Sequence, residues 1–162
     1  MILMTLLIIL VAAFVGSTLM GCSSSDDGSQ FHSRNFANSG CKKAGMEARS
    51  ITRGDSPYGD ECIEYKGLSG GYLSVNHINV LYTCEPGELK MQAIISGNEI
   101  KILETEEQAG ANCICPYDLY CEVGPLSNED YTVIIYRESY ESEYARFTIS
   151  YKSGLSGRFN IK

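Results

Sequence analysis

The 162-residue sequence predicts an all-β domain in which two antiparallel sheets pack as a sandwich, with a small antiparallel barrel as the alternative. Three observations predict this fold. Short segments alternate apolar with polar residues and are separated by Gly, Pro or Asn. Eleven tyrosines and no tryptophan suit β-structure. Seven cysteines in so short a chain indicate disulfide bracing in an oxidising compartment.

The predicted strands begin at Cys62, and they cover residues 62–65, 72–84, 89–95, 99–104, 113–123, 132–136, 145–151 and 157–161. Gly97 and Asn98 separate two of these segments and predict a hairpin turn. Within 72–84 the apolar positions change parity near Ile78, which predicts a β-bulge within residues 76–79. At 113–123 the apolar and cysteine side chains fall on odd positions and should face one way.

Leu126, a polar stretch and then Tyr131 precede the apolar run 132–136. This pattern resembles the tyrosine corner of immunoglobulin-like and fibronectin-type sandwiches. The resemblance implies that the Tyr131 ring packs beneath the loop. It also implies that the hydroxyl group bonds a backbone group within residues 125–128, so that Tyr131 is a structural corner residue.

Residues 1–20 carry no charged side chain and end at Leu19-Met20-Gly21-Cys22. This stretch resembles the lipobox of bacterial lipoproteins of the Gram-negative cell envelope, in which Leu, a small or apolar residue, Gly or Ala, and Cys follow one another. The resemblance implies removal of a signal peptide, residues 1–21, and lipidation of Cys22, with palmitate among the acyl chains. An uncleaved membrane anchor is the alternative.

The next segment, 22–40, is rich in Ser, Asp, Asn and Gly and predicts a flexible lipidated tether ahead of a β domain at 41–162. The implied location is the bacterial cell envelope, lipid-anchored in the outer membrane on its periplasmic or surface face. The implied membrane contact is the lipid on Cys22.

If Cys22 carries lipid, six cysteines remain, and they predict three disulfides. Cys113 and Cys115 are two residues apart on one strand face, so each should bond outward rather than to the other. We expect Cys84 to pair with one of them. A zinc site is the competing interpretation, but zinc thiolates are usually spaced as C-x₂₋₄-C, and no metal or cofactor is predicted. The six disulfide candidates are Cys41, Cys62, Cys84, Cys113, Cys115 and Cys121.

The net charge of −7 argues against nucleic-acid binding, which needs basic patches, and against an electrostatic grip on anionic lipid. His77 is expected to be a hydrogen-bonded strand histidine, and the acidic stretches 104–107 and 138–143 are expected to be solvated loop charge. Four tyrosines could form a protein- or sugar-binding face, namely Tyr136, Tyr140, Tyr144 and Tyr151.

No catalytic residue is predicted, and two functional hypotheses follow. The first is a non-catalytic interaction or structural module that binds a protein or glycan. The alternative is a carboxylate-dependent, glycan-active hydrolase at the cell surface.

Overall fold

The computed structural model describes residues 31–42, 58–107 and 113–161, and within them nine strands form two sheets. One sheet has the order β1-β6-β3-β2-β9 and the other the order β4-β5-β7-β8, and they are not closed into a barrel. The predicted two-sheet sandwich is therefore confirmed. The strands are β1 (Ser33–Asn38), β2 (Cys62–Gly67), β3 (Leu73–Thr83), β4 (Leu89–Ser96), β5 (Glu99–Glu106), β6 (Ile114–Val123), β7 (Asp130–Arg137), β8 (Glu143–Ser150) and β9 (Ser156–Asn160).

Each of the eight predicted strands is present, with ends shifted by a few residues. β4 and β5 form the predicted hairpin, in which Ser96 lies opposite Glu99. Gly97, in the turn between them, has a φ of 56°, a conformation that glycine adopts without the steric cost of a Cβ atom.

The predicted bulge in β3 is also confirmed. The register between β3 and β6 shifts between His77 and Val80, and Asn79 has a φ of 60°. Up to His77 the odd-numbered residues of β3 face the core, and from Val80 onward the even-numbered residues do so. The bulge thereby turns both His77 and Tyr82 into the core.

One strand pair departs from the antiparallel prediction. β5 and β7 are parallel, with Ile100 opposite Val133 and Glu104 opposite Arg137, whereas every other described pairing is antiparallel. Because the two strands run the same way, the acidic segments that follow them lie at the same end of the sheet.

The predicted tether, 22–40, is wrong for residues 33–38, which form β1 at the edge of the first sheet. The backbone N–H of His32 donates to the carbonyl of Ala93 in β4 at 2.7 Å, so this segment joins the edges of both sheets. Its residues are mostly exposed, and its register with β6 shifts between Arg34 and Ala37. An exposed, bulged edge strand lacks the apolar alternation by which strands are recognised, and the folded domain therefore begins before Cys41.

The core lies between the sheets and draws on strands β2 to β8, with Phe159 of β9 packed against its margin. Phe147 of β8 stacks between Tyr65 of β2 and Phe159, with ring centroids 5.4 and 5.0 Å away. The largest fully buried apolar side chains of the core are Tyr82, Ile63, Leu73, Ile100, Ile102, Leu119, Ile135, Val75 and Val80.

The predicted corner hydrogen bond is present. The Tyr131 hydroxyl oxygen accepts a hydrogen bond from the backbone N–H of Ser127 at 3.1 Å, and the ring packs in the core. Tyr131→Phe should keep the packing of the ring but leave this N–H without its partner. Because Ser127 is itself exposed, we expect a loss of only about 1 kcal/mol in the free energy of unfolding, measured in urea. An unchanged unfolding midpoint would show that the corner does not stabilise the sandwich.

Candidate functional site

Six polar side chains bridge the two sheets inside the sandwich, and we call them the core network: Glu61, His77, Tyr82, Glu104, Arg137 and Tyr144. Glu61 precedes β2, and His77 and Tyr82 come from β3, all on the first sheet. The other three come from β5, β7 and β8 of the second sheet. The contacts of His77 and Tyr82 with Glu104, and of Glu61 with Tyr144, therefore tie one sheet to the other.

His77 is at the centre of the core network and has no exposure to solvent. Its Nδ1 lies 2.8 and 3.0 Å from the two carboxylate oxygens of Glu104, and its Nε2 lies 2.8 Å from Oε1 of Glu61. The Tyr82 hydroxyl donates to Oε2 of Glu104 at 3.1 Å, and the Tyr144 hydroxyl donates to Oε1 of Glu61 at 2.6 Å. Both carboxylates thus accept from the imidazole ring and from a tyrosine.

The two carboxylates decide the charge of His77. Burial by itself lowers the pKa of an imidazole, but the charges and hydrogen bonds of Glu104 and Glu61 outweigh burial and raise the pKa of His77 to about 9. The ring is therefore protonated at neutral pH, with both ring N–H groups donating to carboxylates. Burial and the nearby Glu104 charge also raise the pKa of the Tyr82 hydroxyl.

Arg137 supplies a second positive charge to the core network. Its Nη2 donates to the backbone carbonyl of Leu81 in the facing sheet at 2.7 Å. Its guanidinium carbon lies 4.5 Å from the ring centroid of Tyr82 and 5.1 Å from that of Tyr144, which places the cation over both aromatic faces. Two carboxylates and two cations then balance in charge, as a buried cluster requires.

The polar groups of the core network are engaged with one another. A general base or a metal ligand needs a nitrogen lone pair, and both ring nitrogens of His77 already face carboxylates at hydrogen-bond distance. No serine, threonine or cysteine is among the described hydrogen-bond partners of the His77 ring. Chemically, this arrangement holds charge and orients side chains.

Sequence reasoning expected a satisfied strand histidine at 77, and the structure has one. The expectation for Glu104 was wrong, because this residue is fully buried rather than a solvated loop charge. The sequence did not identify Glu61, Arg137 and Tyr144 as members of the core network. Their spacing along the chain carries no motif, and the parity of Glu104 with the apolar Ile100 and Ile102 was the available signal.

The two acidic stretches, 104–107 and 138–143, meet at one end of the second sheet, where the backbone N–H of Glu138 donates to the carbonyl of Glu104 at 2.8 Å.

The four tyrosines proposed as a binding face do not lie on one common face. Tyr136 and Tyr140 pack edge to face, with centroids 5.2 Å apart, whereas Tyr144 joins the core network and Tyr151 is in the core.

Two disulfides join described residues, Cys41–Cys115 and Cys84–Cys113. The expected pairing of Cys84 with one member of the C-x-C pair is confirmed, and Cys113 and Cys115 each bond outward.

The third disulfide is absent, since Cys62 and Cys121 are free and buried. Cys62 lies opposite Ile78 on the outer face of its sheet, whereas Cys121 lies opposite Val75 on the core face, so the sheet itself separates their sulfurs. Because two of the six downstream cysteines are free, the odd number of cysteines no longer supports the lipidation of Cys22.

A shallow groove of about 300 Å³ lies between the edge strands β1 and β4. Phe31 and Phe36, which border it, are 45% and 37% exposed, so two large apolar side chains reach solvent at this groove. Its other lining residues are Ser33, Arg34, Asn35, Lys90, Met91 and Gln92.

No protein-family model, curated protein or solved structure matches this chain. The function must therefore be argued from the geometry above.

Among residues 31–42, 58–107 and 113–161, no helix is long and apolar enough to cross a membrane. The predicted lipidation site, Cys22, and the signal peptide lie outside the described residues.

Proposed function

We propose that this protein is a lipid-anchored module of the bacterial cell envelope that binds an extended protein segment without catalysing a reaction. The observation that carries the binding role is the groove between β1 and β4 with its exposed phenylalanines. The closed core network supports the non-catalytic part, because its histidine and carboxylates are engaged with one another.

The groove suits an extended polypeptide for two reasons. Among the described strands, β1 pairs with β6 alone and β4 with β5 alone, so each has a ladder neighbour on one side. His32 and Ser33 already bond the outer edge of β4 at Ala93 and Ile95, which leaves the part of β4 before Ala93 for a ligand. Backbone groups at such an edge can pair with an added strand. Phe31 and Phe36 then offer apolar contact area of the kind enriched at protein interfaces.

The proposal is tested by selecting peptides from a random display library on the wild-type chain and measuring their affinities for variants. Peptides that use the groove should bind Phe36→Ala at least about tenfold more weakly, the loss of about 1.4 kcal/mol or more that an interface aromatic contributes. Tyr140→Ala is the matched control, since Tyr140 is 40% exposed but lies away from the groove residues, and its affinity should be unchanged. Peptides that bind both variants equally would place the site elsewhere.

A glycan array read with the same variants separates the two ligand classes. Glycan binding that is lost in Phe36→Ala, with no peptide selected at the groove, would make the ligand a sugar and overturn the peptide proposal.

The lipid anchor rests on the sequence around Cys22 and is supported by the two disulfides, which are typical of proteins outside the cytoplasm. Radiolabelled palmitate should enter the wild-type protein and not Cys22→Ala when both are expressed in a Gram-negative bacterium. Cys62→Ala is the control and should keep the label. Label that persists in Cys22→Ala would exclude lipidation at this residue.

We further infer an immunoglobulin-like character for the sandwich, supported by the Tyr131 corner at the start of β7. The parallel β5–β7 pair is a departure from the antiparallel sheets of that family.

The hydrolase alternative is favoured by one observation, the meeting of the two acidic stretches at one end of the second sheet. It requires an exposed carboxylate whose removal abolishes a measured hydrolysis of glycan, and Glu138→Gln and Glu141→Gln are the variants to assay.

A further inference from the structure

The cysteines of the two disulfides converge on one place at the end of the first sheet. The Sγ atoms of Cys41, Cys84 and Cys115 lie within 4.8 Å of one another, and the sulfur of Cys113 is bonded to that of Cys84. We call these four residues the cysteine cluster. Three sulfurs from three separate chain segments thus lie close together, and the fourth, that of Cys113, is one disulfide bond away from them.

Strand geometry explains why the sulfurs meet. Cys115 lies opposite Tyr82 in the β3–β6 ladder, and Cys84 and Cys113 continue the ladder two residues further on. Residues two apart on a strand share a face, so Cys84, Cys113 and Cys115 point the same way as the core-facing Tyr82. Cys41 is brought to the same end by the backbone hydrogen bond from Lys42 to the carbonyl of Pro116, at 3.0 Å.

The backbone positions do not depend on the sulfur–sulfur bonds alone. The N–H of Cys84 donates to the carbonyl of Cys113 at 3.0 Å, and the Tyr117 hydroxyl lies 3.0 and 3.2 Å from the carbonyl oxygens of Thr83 and Cys84. The Cα atoms are 5.8 Å apart in Cys41–Cys115 and 5.5 Å apart in Cys84–Cys113. Reduction would therefore leave four thiols held close together rather than dispersed.

We propose that the cysteine cluster, once both disulfides are reduced, binds one zinc-type cation through four thiolates. A Zn–S bond of about 2.3 Å in a tetrahedron requires sulfurs about 3.8 Å apart. Small side-chain rotations reach this separation for Cys41, Cys84 and Cys115, whereas Cys113 must turn toward them once its bond to Cys84 is reduced. Thiolates select soft and borderline cations such as Zn²⁺ over Ca²⁺ or Mg²⁺. Glu85 follows Cys84 in the chain, and Glu106 accepts a hydrogen bond from the backbone N–H of Thr83 at 2.8 Å, so these carboxylates would attract such a cation rather than repel it.

The disulfide and metal states exclude each other, because they use the same sulfurs. Each disulfide takes up two electrons and two protons from a reductant. With a phosphine, one phosphine and one water per disulfide yield the phosphine oxide and two thiols. Binding of Zn²⁺ by four thiols then releases four protons. An oxidant such as O₂, reduced to water by four electrons from the four thiolates together with four protons, would re-form both disulfides and release the cation.

The test uses the full chain with Cys22→Ser, so that the thiol of residue 22 does not contribute. The chain is reduced with a phosphine, freed of reductant without oxygen and titrated with Co²⁺. We expect one Co²⁺ per chain, a thiolate-to-cobalt charge-transfer band in the near ultraviolet, and displacement by Zn²⁺. The oxidised chain should show no such band.

Variants assign the ligands. Cys84→Ser and Cys115→Ser, each measured separately, should weaken Co²⁺ binding at least about tenfold, whereas Cys62→Ser, at a cysteine outside the cluster, should bind like the parent chain. Circular dichroism of the reduced chain with and without Zn²⁺ covers the case in which reduction unfolds the domain, since Zn²⁺ should then restore the β signal. The proposal is overturned if the reduced parent chain shows no charge-transfer band, if binding depends on Cys62, or if Zn²⁺ fails to restore an unfolded reduced chain.

Discussion

Glu104→Gln is expected to lower the free energy of unfolding by about 3–5 kcal/mol, the cost of removing one partner from a buried ion pair. Glu104 has no exposure to solvent and faces the His77 ring with both oxygens, while Tyr82 donates to one of them. The amide keeps the shape of the side chain but removes its charge. The cationic groups of the core network then outnumber its carboxylates. Urea unfolding at pH 6 measures the change, because His77 is protonated there in the native state.

Glu107→Gln is the matched control for this prediction. It lies on the same chain segment three residues later, and its side chain is exposed, so the change should stay within about 0.5 kcal/mol. If Glu104→Gln also lowered the free energy of unfolding by less than about 1 kcal/mol, the core network would not be ionised as the contacts indicate.

Stability is expected to fall as the pH rises above neutrality, because of His77. The pKa of this group is about 9 in the folded protein, where Glu104 and Glu61 outweigh the effect of burial, against about 6.5 in the unfolded chain. Between these values the native state binds one proton more than the unfolded state. Each pH unit should therefore remove up to about 1.4 kcal/mol.

The sign and the window follow from the raised pKa. The contribution of His77 is fully present below about pH 6.5 and is lost as the pH passes about 9, with a total of roughly 3 kcal/mol. Urea unfolding midpoints from pH 6 to pH 10 measure this loss.

His77→Gln is the control for the pH dependence, since glutamine is polar and does not titrate. The buried Cys62 and Cys121 thiols also have raised pKa values, so the difference between the wild type and His77→Gln isolates the histidine. If the stability of the wild type changed with pH no more than that of His77→Gln, the imidazole ring of the folded protein would lack its second proton.

Local pattern was enough to predict most of the sandwich. The segments 89–95 and 99–104 alternate apolar with polar residues on either side of Gly97 and Asn98, so both strands and their turn could be recognised without knowing any partner. The parity change near Ile78 predicted the bulge for the same reason, because side chains on a strand alternate with a period of two. Tyr131 carried its own motif, and the structure has the hydrogen bond that the motif implies.

β1 could not be predicted in this way. Its sequence, Ser33 to Asn38, is mostly polar and exposed, and its position is set by pairing with β6 and by the contact of His32 with Ala93. Those partners are far away in the sequence, so no local pattern records them. The parallel pairing of β5 with β7 is likewise a property of how the chain crosses between the sheets and not of either strand.

The sequence by itself determined the strand segments other than β1, the corner at Tyr131 and the outward bonding of Cys113 and Cys115, since each depends on residues close together in the chain. Only the tertiary structure decided which distant groups meet. It pairs His77 with Glu104 across the two sheets, places Cys62 and Cys121 on opposite faces of one sheet, and gathers Cys41 with Cys84 and Cys115. The physical reason is that a buried charge or thiol is defined by its neighbours in space, which the sheet packing sets and the local sequence does not.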